Sequence, residues 1–225
     1  MPIYKTKNEN FFKKWTPEMA YVLGFFTADG TMIKNKRGSF FIELEITDKN
    51  LLEKIRKILG SNHKITERKS TNKNCKPRYR LQIGSKAMFN DLLKLGITPR
   101  KSKTIIFPIT PTKYFSHFVR GYFDGDGSVT IGKYRRKETQ KQKFYILSGF
   151  TSGSENFLKQ LHMQLKKFSS ITGGSLYFHS NSFRLYFSTK DSLSLYNLMY
   201  VKYKINNSLL LHRKKKIFEK YFKIV

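Results

Sequence analysis

Two segments of this chain follow one pattern. Residues 21–30 read Tyr-Val-Leu-Gly-Phe-Phe-Thr-Ala-Asp-Gly, and residues 118–127 read Phe-Val-Arg-Gly-Tyr-Phe-Asp-Gly-Asp-Gly, an offset of 97 in a chain of 225 residues. Each is an apolar helical stretch with small residues four apart, closing on Asp-Gly. The first is preceded by Thr16-Pro17-Glu18, a capping hydroxyl, a first-turn proline and an acid near the positive helix end. Gly30 is read as the helix stop. Gly24 and Ala28 in one copy, and Gly121 and Gly125 in the other, share a helix face. A glycine inside a helix costs up to about 1 kcal/mol relative to alanine. That cost is intelligible if the two helices cross closely along the small-residue face, a spacing that permits backbone approach.

The repeat is wider than the motifs. Tyr-Arg-Leu-Gln-Ile-Gly-Ser-Lys at 79–86 matches Phe-Arg-Leu-Tyr-Phe-Ser-Thr-Lys at 183–190. Amphipathic helices are predicted over Asn50–Leu59 and Glu155–Phe168 from their 3.6-residue period. Each half then reads helix, strand, strand, helix, strand, strand, helix. The last helices fall near 86–95 and 190–200, with a further basic helix near 207–222. The units are assigned to 1–107 and 113–225, joined through 108–112, where Pro108 and Pro111 make an extended connector.

Charge points to the partner. The chain carries 44 Lys+Arg against 15 Asp+Glu, a net +29. The excess is shared, with 23 basic and 9 acidic residues in 1–107 and 21 and 6 in 108–225. A polyanion facing both halves is implied, not a basic tail. An anionic membrane is the other candidate, but no segment has the apolar run of a span and no signal peptide opens the chain. The single cysteine, Cys75, excludes an internal disulfide and a cysteine metal cluster. An intracellular protein is expected, in a bacterial cytoplasm or an organelle.

Alternation in 41–47, 78–84 and 183–188 gives each predicted strand one apolar and one polar face. Arg78, Arg80 and Gln82 in one unit, and Arg184 and Tyr186 in the other, are residue types that read base edges in a major groove. Basic hairpin tips at Lys34, Lys36 and Arg37, at Arg135, Arg136, Lys141 and Lys143, and the loop entered by Arg68, suit phosphate contacts.

Close packing of equivalent helix faces brings Asp29 and Asp126 together. Two carboxylates at helix C-termini repel each other and oppose the macrodipole. A divalent cation relieves both conflicts, and all-oxygen ligation suits Mg²⁺, with Mn²⁺ or Ca²⁺ able to take the same sites. Such an ion can activate water and neutralise a leaving oxygen at a phosphodiester. Asp124 has Thr27 as its counterpart and is therefore assigned to capping or orientation. One Asp-Gly alone would be an ordinary helix-to-strand turn.

These residues resemble the LAGLIDADG homing endonucleases in their single-chain, two-motif form, over nearly the whole chain. The resemblance implies an α+β fold of two pseudo-symmetric αββαββα units. Each is a four-stranded antiparallel saddle sheet with helices on one face, and the motif helices form the interface. It implies a monomer that hydrolyses double-stranded DNA across the minor groove and leaves 3′ overhangs. Carried over by position, Asp29 and Asp126 bind metal, with the carbonyls of Ala28 and Gly125 as auxiliary ligands. Glu45 and Thr151 fall at a polar supporting position. Lys101 in the first half, and Arg213 or Lys214 in the second, fall where the family places basic residues near the scissile phosphates. The same fold also serves as an intron RNA maturase and as a non-catalytic DNA-binding regulator. The regulator's added helix-turn-helix, and the splicing module around an intein-embedded nuclease, have no counterpart here.

Overall fold

The structure, a computed structural model, describes residues 5–68, 76–135, 140–201 and 209–225. Its order is α1 (Pro17–Asp29), β1 (Gly30–Lys34), β2 (Phe40–Ile46), α2 (Lys49–Ile58), β3 (Ile65–Arg68), β4 (Arg78–Gly84) and α3 (Lys86–Lys94). The second half repeats it as α4 (Phe115–Asp126), β5 (Gly127–Arg135), β6 (Gln142–Ser152), α5 (Glu155–Phe168), β7 (Ser175–His179), β8 (Ser182–Phe187) and α6 (Thr189–Tyr196). A further helix, α7 (His212–Ile224), follows. The two sheets are antiparallel, ordered β1-β2-β4-β3 and β5-β6-β8-β7.

Thr16 caps α1 by accepting from the Met19 N–H at 3.1 Å, with Pro17 in the first turn. α1 is buried on nearly every side, as its unbroken apolar sequence requires. The amphipathic helices instead bury one stripe. In the first unit Leu51, Leu52 and Ile55 of α2 and Met88 and Leu92 of α3 cover Ile42, Leu44, Leu81 and Ile83. In the second, Phe157, Leu158, Leu161 and Leu165 of α5 cover Ile146, Phe150, Leu185 and Phe187. Strand alternation leaves the other face of each sheet free of helices.

Most boundaries match the sequence reading to within two residues. α2 is shifted by one because Asp48 caps it, accepting from the Leu51 N–H at 3.0 Å. The helix expected over 190–200 is α6 followed by a π-helical turn, Asn197–Val201. α7 starts later than expected: 202–208 lie outside the described residues, and Leu209, Leu210 and Leu211 are buried. Phe107, read as the end of the first unit, packs among Phe115, Phe118 and Phe157 of the second. Gly30 does end α1, but with extended backbone (φ −81°, ψ 149°) open to any residue. A side chain is excluded there by the Phe26 ring, and at Gly127 by the equivalent Phe123 ring.

Candidate active site

α1 and α4 cross backbone to backbone. A methyl at Gly24 would fall on the Phe118 carbonyl and stand 2.9 Å from the Tyr122 nitrogen. One at Gly121 would fall on the Tyr21 carbonyl, 2.9 Å from the Phe25 nitrogen. Tyr21 and Phe25 are the repeat equivalents of Phe118 and Tyr122, so the crossing obeys the pseudo-twofold. Lower down, the Ala28 methyl occupies the space that a Gly125 methyl would need. One side chain carbon fits at this level, and the first copy supplies it.

The crossing delivers Asp29 and Asp126 to one place. Asp29 Oδ2 lies 3.1 Å from where a Gly125 Cβ would stand. Burial raises the Asp29 carboxyl, against the pull of Lys214, Lys101, Arg78 and Arg213. Burial, then repulsion from Asp29, pushes Asp126 up to about 6. Each carboxylate is thus held where its charge is disfavoured until a cation arrives.

Two buried lysines flank the pair. Lys101, on a 3₁₀ turn (Lys101–Lys103), donates to the Gly30 carbonyl at 2.5 Å. Lys214, near the start of α7, donates to the carbonyls of Phe123 (2.6 Å), Asp124 (2.8 Å), Gly125 (3.1 Å) and Gly127 (2.6 Å). Gly30 and Gly127 are equivalent positions, as are Phe26 and Phe123, whose rings lie 6.0 and 5.4 Å from the two ammonium groups. The lysines therefore share one role. Each satisfies orphan carbonyls at a motif-helix C-terminus and complements its dipole. Burial lowers Lys101, and it lowers Lys214 to about 8.

α7 is seated by a polar network with no counterpart among the described residues of the first unit. Asp124 is 2 % exposed, and its Oδ2 accepts from the Tyr21 hydroxyl (2.7 Å) and the Leu211 N–H (2.8 Å). Arg120, where the first copy has Leu23, donates to the carbonyls of Met199 (3.2 Å) and Leu209 (3.3 Å) and lies over the Tyr21 ring. Its guanidinium also meets His117 Nδ1 at 3.1 Å. A guanidinium only donates, so that nitrogen accepts; burial, then Arg120, lowers His117 to about 4. Burial also raises Asp124 to about 6, opposed by the Tyr21 and Leu211 hydrogen bonds. Sequence reasoning assigned Asp124 an orienting role without its partners, and it missed Arg120, a charge inside an apolar helix.

The donor set fits a hard divalent cation. Among the described residues no group of three or more His, Cys, Asp or Glu could hold a metal ion. Two carboxylates with backbone carbonyls leave the remaining positions to water and phosphate, the pattern of Mg²⁺-type sites and not of closed zinc sites. The Gly125 carbonyl is shared with Lys214.

On the first sheet's helix-free face stand Glu43, Glu45, Arg68, Arg78, Arg80 and Gln82, linked in two groups, Glu45 with Arg68 and Arg78 and Glu43 with Arg80 and Gln82. Glu45 meets Arg78 at 3.4 Å and Arg68 at 3.6 Å, and Arg80 pairs with Glu43. Glu45 is one residue beyond Leu44, the register partner of Gly30, which puts it at the level of Asp29. Lys36 and Arg37 are exposed at the hairpin tip. Lys34, at the end of β1 beside that tip, is exposed. It shares the parity of buried Met32, and its ammonium sits 5.4 Å from the Phe40 ring on the helix side. On the second sheet Arg184, Tyr186 and Lys143 share the helix-free face. Arg135 and Lys141 lie at the exposed β5–β6 tip. Arg136 lies outside the described residues.

A pair of αββαββα units joined through motif helices that end in juxtaposed aspartates defines a two-motif LAGLIDADG architecture. The sequence profile of the LAGLIDADG-like domain matches residues 16–96 and 115–197, and the chain belongs to that family. Both flanking lysines, Lys101 and Lys214, lie outside the matched spans. Among curated proteins, the chain is 25% identical over 191 residues to Uncharacterized protein MJ0398 of Methanocaldococcus jannaschii, covering 79% of this chain and 64% of that one. It is 27% identical over 216 residues to a probable translation initiation factor IF-2 of Thermococcus kodakarensis, covering 92% of this chain and 16% of that one. The chain thus spans less than two thirds of either relative. Similar solved structures include the LAGLIDADG meganuclease I-AabMI bound to uncleaved DNA (TM-score 0.62, 13% identity, 93% of this chain and 90% of that one). I-DmoI in complex with DNA and Mn has a TM-score of 0.55 at 14% identity (87% and 99%). I-SmaMI, bound to an uncleaved DNA target in the presence of calcium ions, has 0.59 at 13% identity (94% and 90%). At these identities the likeness establishes the fold. Among the described residues no helix is long and apolar enough to cross a membrane.

Proposed function

We propose that this chain is a sequence-specific, divalent-metal-dependent endonuclease of double-stranded DNA, acting as a pseudo-symmetric monomer. The observation that carries the reading is the paired carboxylate at the helix crossing, flanked on each side by a buried lysine. Asp29 and Asp126 would hold the metal, with the carbonyls of Ala28 and Gly125 as auxiliary ligands. Bound there, a divalent cation supplies water activation and neutralises the leaving oxygen. Lys101 and Lys214 fix the two helix ends and hold positive charge where a scissile phosphate would approach. Glu45, braced by Arg68 and Arg78, orients polar groups on the Asp29 side; Thr151 stands at the equivalent place in the other unit. Two equivalent half-centres suit one cut in each strand, offset to leave 3′ overhangs. The basic tips and the helix-free sheet faces would bind the duplex.

The test is cleavage of a randomised duplex library with Mg²⁺ by the parent, Asp29→Asn and Asp126→Asn. Specific cutting that both substitutions abolish supports the assignment. Undiminished cutting by both overturns the metal site. No cutting, with tight binding of intron RNA instead, overturns the nuclease reading in favour of a maturase.

A further inference from the structure

The two sheets have matching registers and unlike chemistry. Glu43 pairs with Gln82 and Glu45 with Arg80 across β2 and β4, while Gly149 pairs with Tyr186 and Thr151 with Arg184 across β6 and β8. β3 and β7 extend the correspondence, placing Thr66 and Tyr177 beside Arg80 and Arg184. Arg80 and Arg184 are therefore one position seen twice. Around them a carboxylate has become glycine, a second has become threonine, glutamine has become tyrosine, and threonine has become tyrosine. β5–β8 contain no acidic residue at all.

In the first sheet the acids brace the readers. Arg80 pairs with Glu43, whose exposure is 12 % against 24 % for the arginine. Gln82 Nε2 donates to the same Glu43 carboxylate at 3.0 Å. That bond occupies the amide nitrogen and leaves the Gln82 Oε1 as the acceptor for a base. Arg80 Nε is buried without a hydrogen-bond partner, so a base contact falls to the terminal nitrogens of the fork. A fixed guanidinium matches guanine O6 and N7, and a fixed acceptor matches the amino group of cytosine or adenine. In the second sheet Tyr177 and Tyr186 stack with centroids 6.1 Å apart and planes 16° from parallel. Tyr177 is 46% exposed, and the Tyr186 hydroxyl is held by Ser128 at 3.3 Å. Such a surface offers apolar area to thymine methyls, and no carboxylate fixes the Arg184 fork.

We infer that the two units read half-sites of different composition. The N-terminal sheet selects a half-site with a G·C pair at the Arg80 position, with Gln82, held by the same Glu43, accepting from the amino group of a neighbouring base. The C-terminal sheet selects an A·T-rich half-site through Tyr177 and Tyr186. Glu43 is then a specificity-determining residue that works by orienting two others. The inference rests on the DNA reading proposed above.

The experiment is binding-site selection from a randomised duplex library in Ca²⁺, using the full chain, Glu43→Gln and the double variant Tyr177→Ala/Tyr186→Ala, each first shown to keep the parent's circular dichroism and unfolding temperature within a few degrees. The expected result is one G·C-containing and one A·T-rich half. Glu43→Gln relaxes base preference roughly 5- to 150-fold, the range for losing one good bidentate contact, and only in the G·C-containing half. The tyrosine variant weakens preference only in the other half. Halves of equal composition, or a Glu43→Gln profile identical to the parent's, overturn the inference while leaving the DNA reading intact. No selected duplex from the parent overturns the DNA reading, and this inference with it.

Discussion

Gly24→Ala separates two opposed expectations by sign. Helix propensity alone predicts that alanine stabilises α1 by about 1 kcal/mol. The crossing predicts the opposite. The new methyl would meet the Phe118 carbonyl and the Tyr122 nitrogen, both main-chain atoms of a helix that cannot rotate aside. α1 and α4 must separate, and overpacking of this kind costs about 1–3 kcal/mol, with rigid backbone at the upper end. Set against the propensity gain, a net loss of about 2 kcal/mol lowers the unfolding temperature by about 4–8 °C for a chain of this size. Calorimetry or circular dichroism of the purified variant measures it, with no need for a known DNA target. A companion series sharpens the result. Gly125→Ala collides with the Ala28 methyl and is expected to cost a similar amount, while Ala28→Gly with Gly125→Ala moves the single methyl across the interface and restores most of it. An unfolding temperature for Gly24→Ala at or above the parent's would refute the close-crossing argument.

Asp126 has its carboxyl raised to about 6 by burial and by Asp29. Its contribution to stability is therefore greatest below the unfolded carboxylate pKa and is lost as pH rises from about 4 through 6. Without divalent cation the melting temperature should fall across that window; Mg²⁺ should recover the part due to the metal pair, and Asp126→Asn should shrink the fall, leaving the share of Asp124 and Asp29, whose carboxyls are raised too. Lys214→Met removes the ammonium from four main-chain carbonyls, of which Phe123 keeps the Gly127 N–H. It should lower stability by about 1–3 kcal/mol and slow cleavage by at least about a hundredfold, read by denaturant unfolding and by single-turnover cutting. Asp124→Leu strands the Tyr21 hydroxyl and the Leu211 N–H, for about 2–6 kcal/mol at about 1–3 each. Hydrogen exchange at Leu211 and the first turn of α7 should accelerate, and Asp124→Asn should keep most of the protection.

The fold was legible because it is written twice. Either motif alone is a short apolar helix with a turn, whereas matched glycines at 24 and 121 dictate a crossing. The choice between Arg213 and Lys214 was also within reach. Lys214, Phe218 and Tyr221 are the buried residues of α7, a spacing of four and three that marks one helix face. Arg213 falls off that stripe. Gly30 was identified as a helix end for a reason that differs from the one observed, because the blocking ring of Phe26 belongs to tertiary packing. The partners of Asp124 could not be read locally. They lie 103 and 87 residues away, and nothing in Asp-Gly-Asp-Gly names a tyrosine hydroxyl or a leucine amide. Arg120 did carry a signal, as a cation in an apolar helix must find acceptors when buried.

The single methyl at the Ala28–Gly125 level also governs which halves can recognise each other. Two copies of the N-terminal unit would bring alanine against alanine where only one carbon fits. They would also place the Tyr21 hydroxyl opposite Thr27, whose own hydroxyl is donated to the Leu23 carbonyl. Two copies of the C-terminal unit would avoid the collision, but Asp124 would then face Phe118, which has no hydroxyl to give. Only the mixed pair avoids the collision and gives Asp124 its tyrosine donor. The halves have thus acquired a mating preference, and separately expressed they should assemble as a heterodimer in preference to either homodimer.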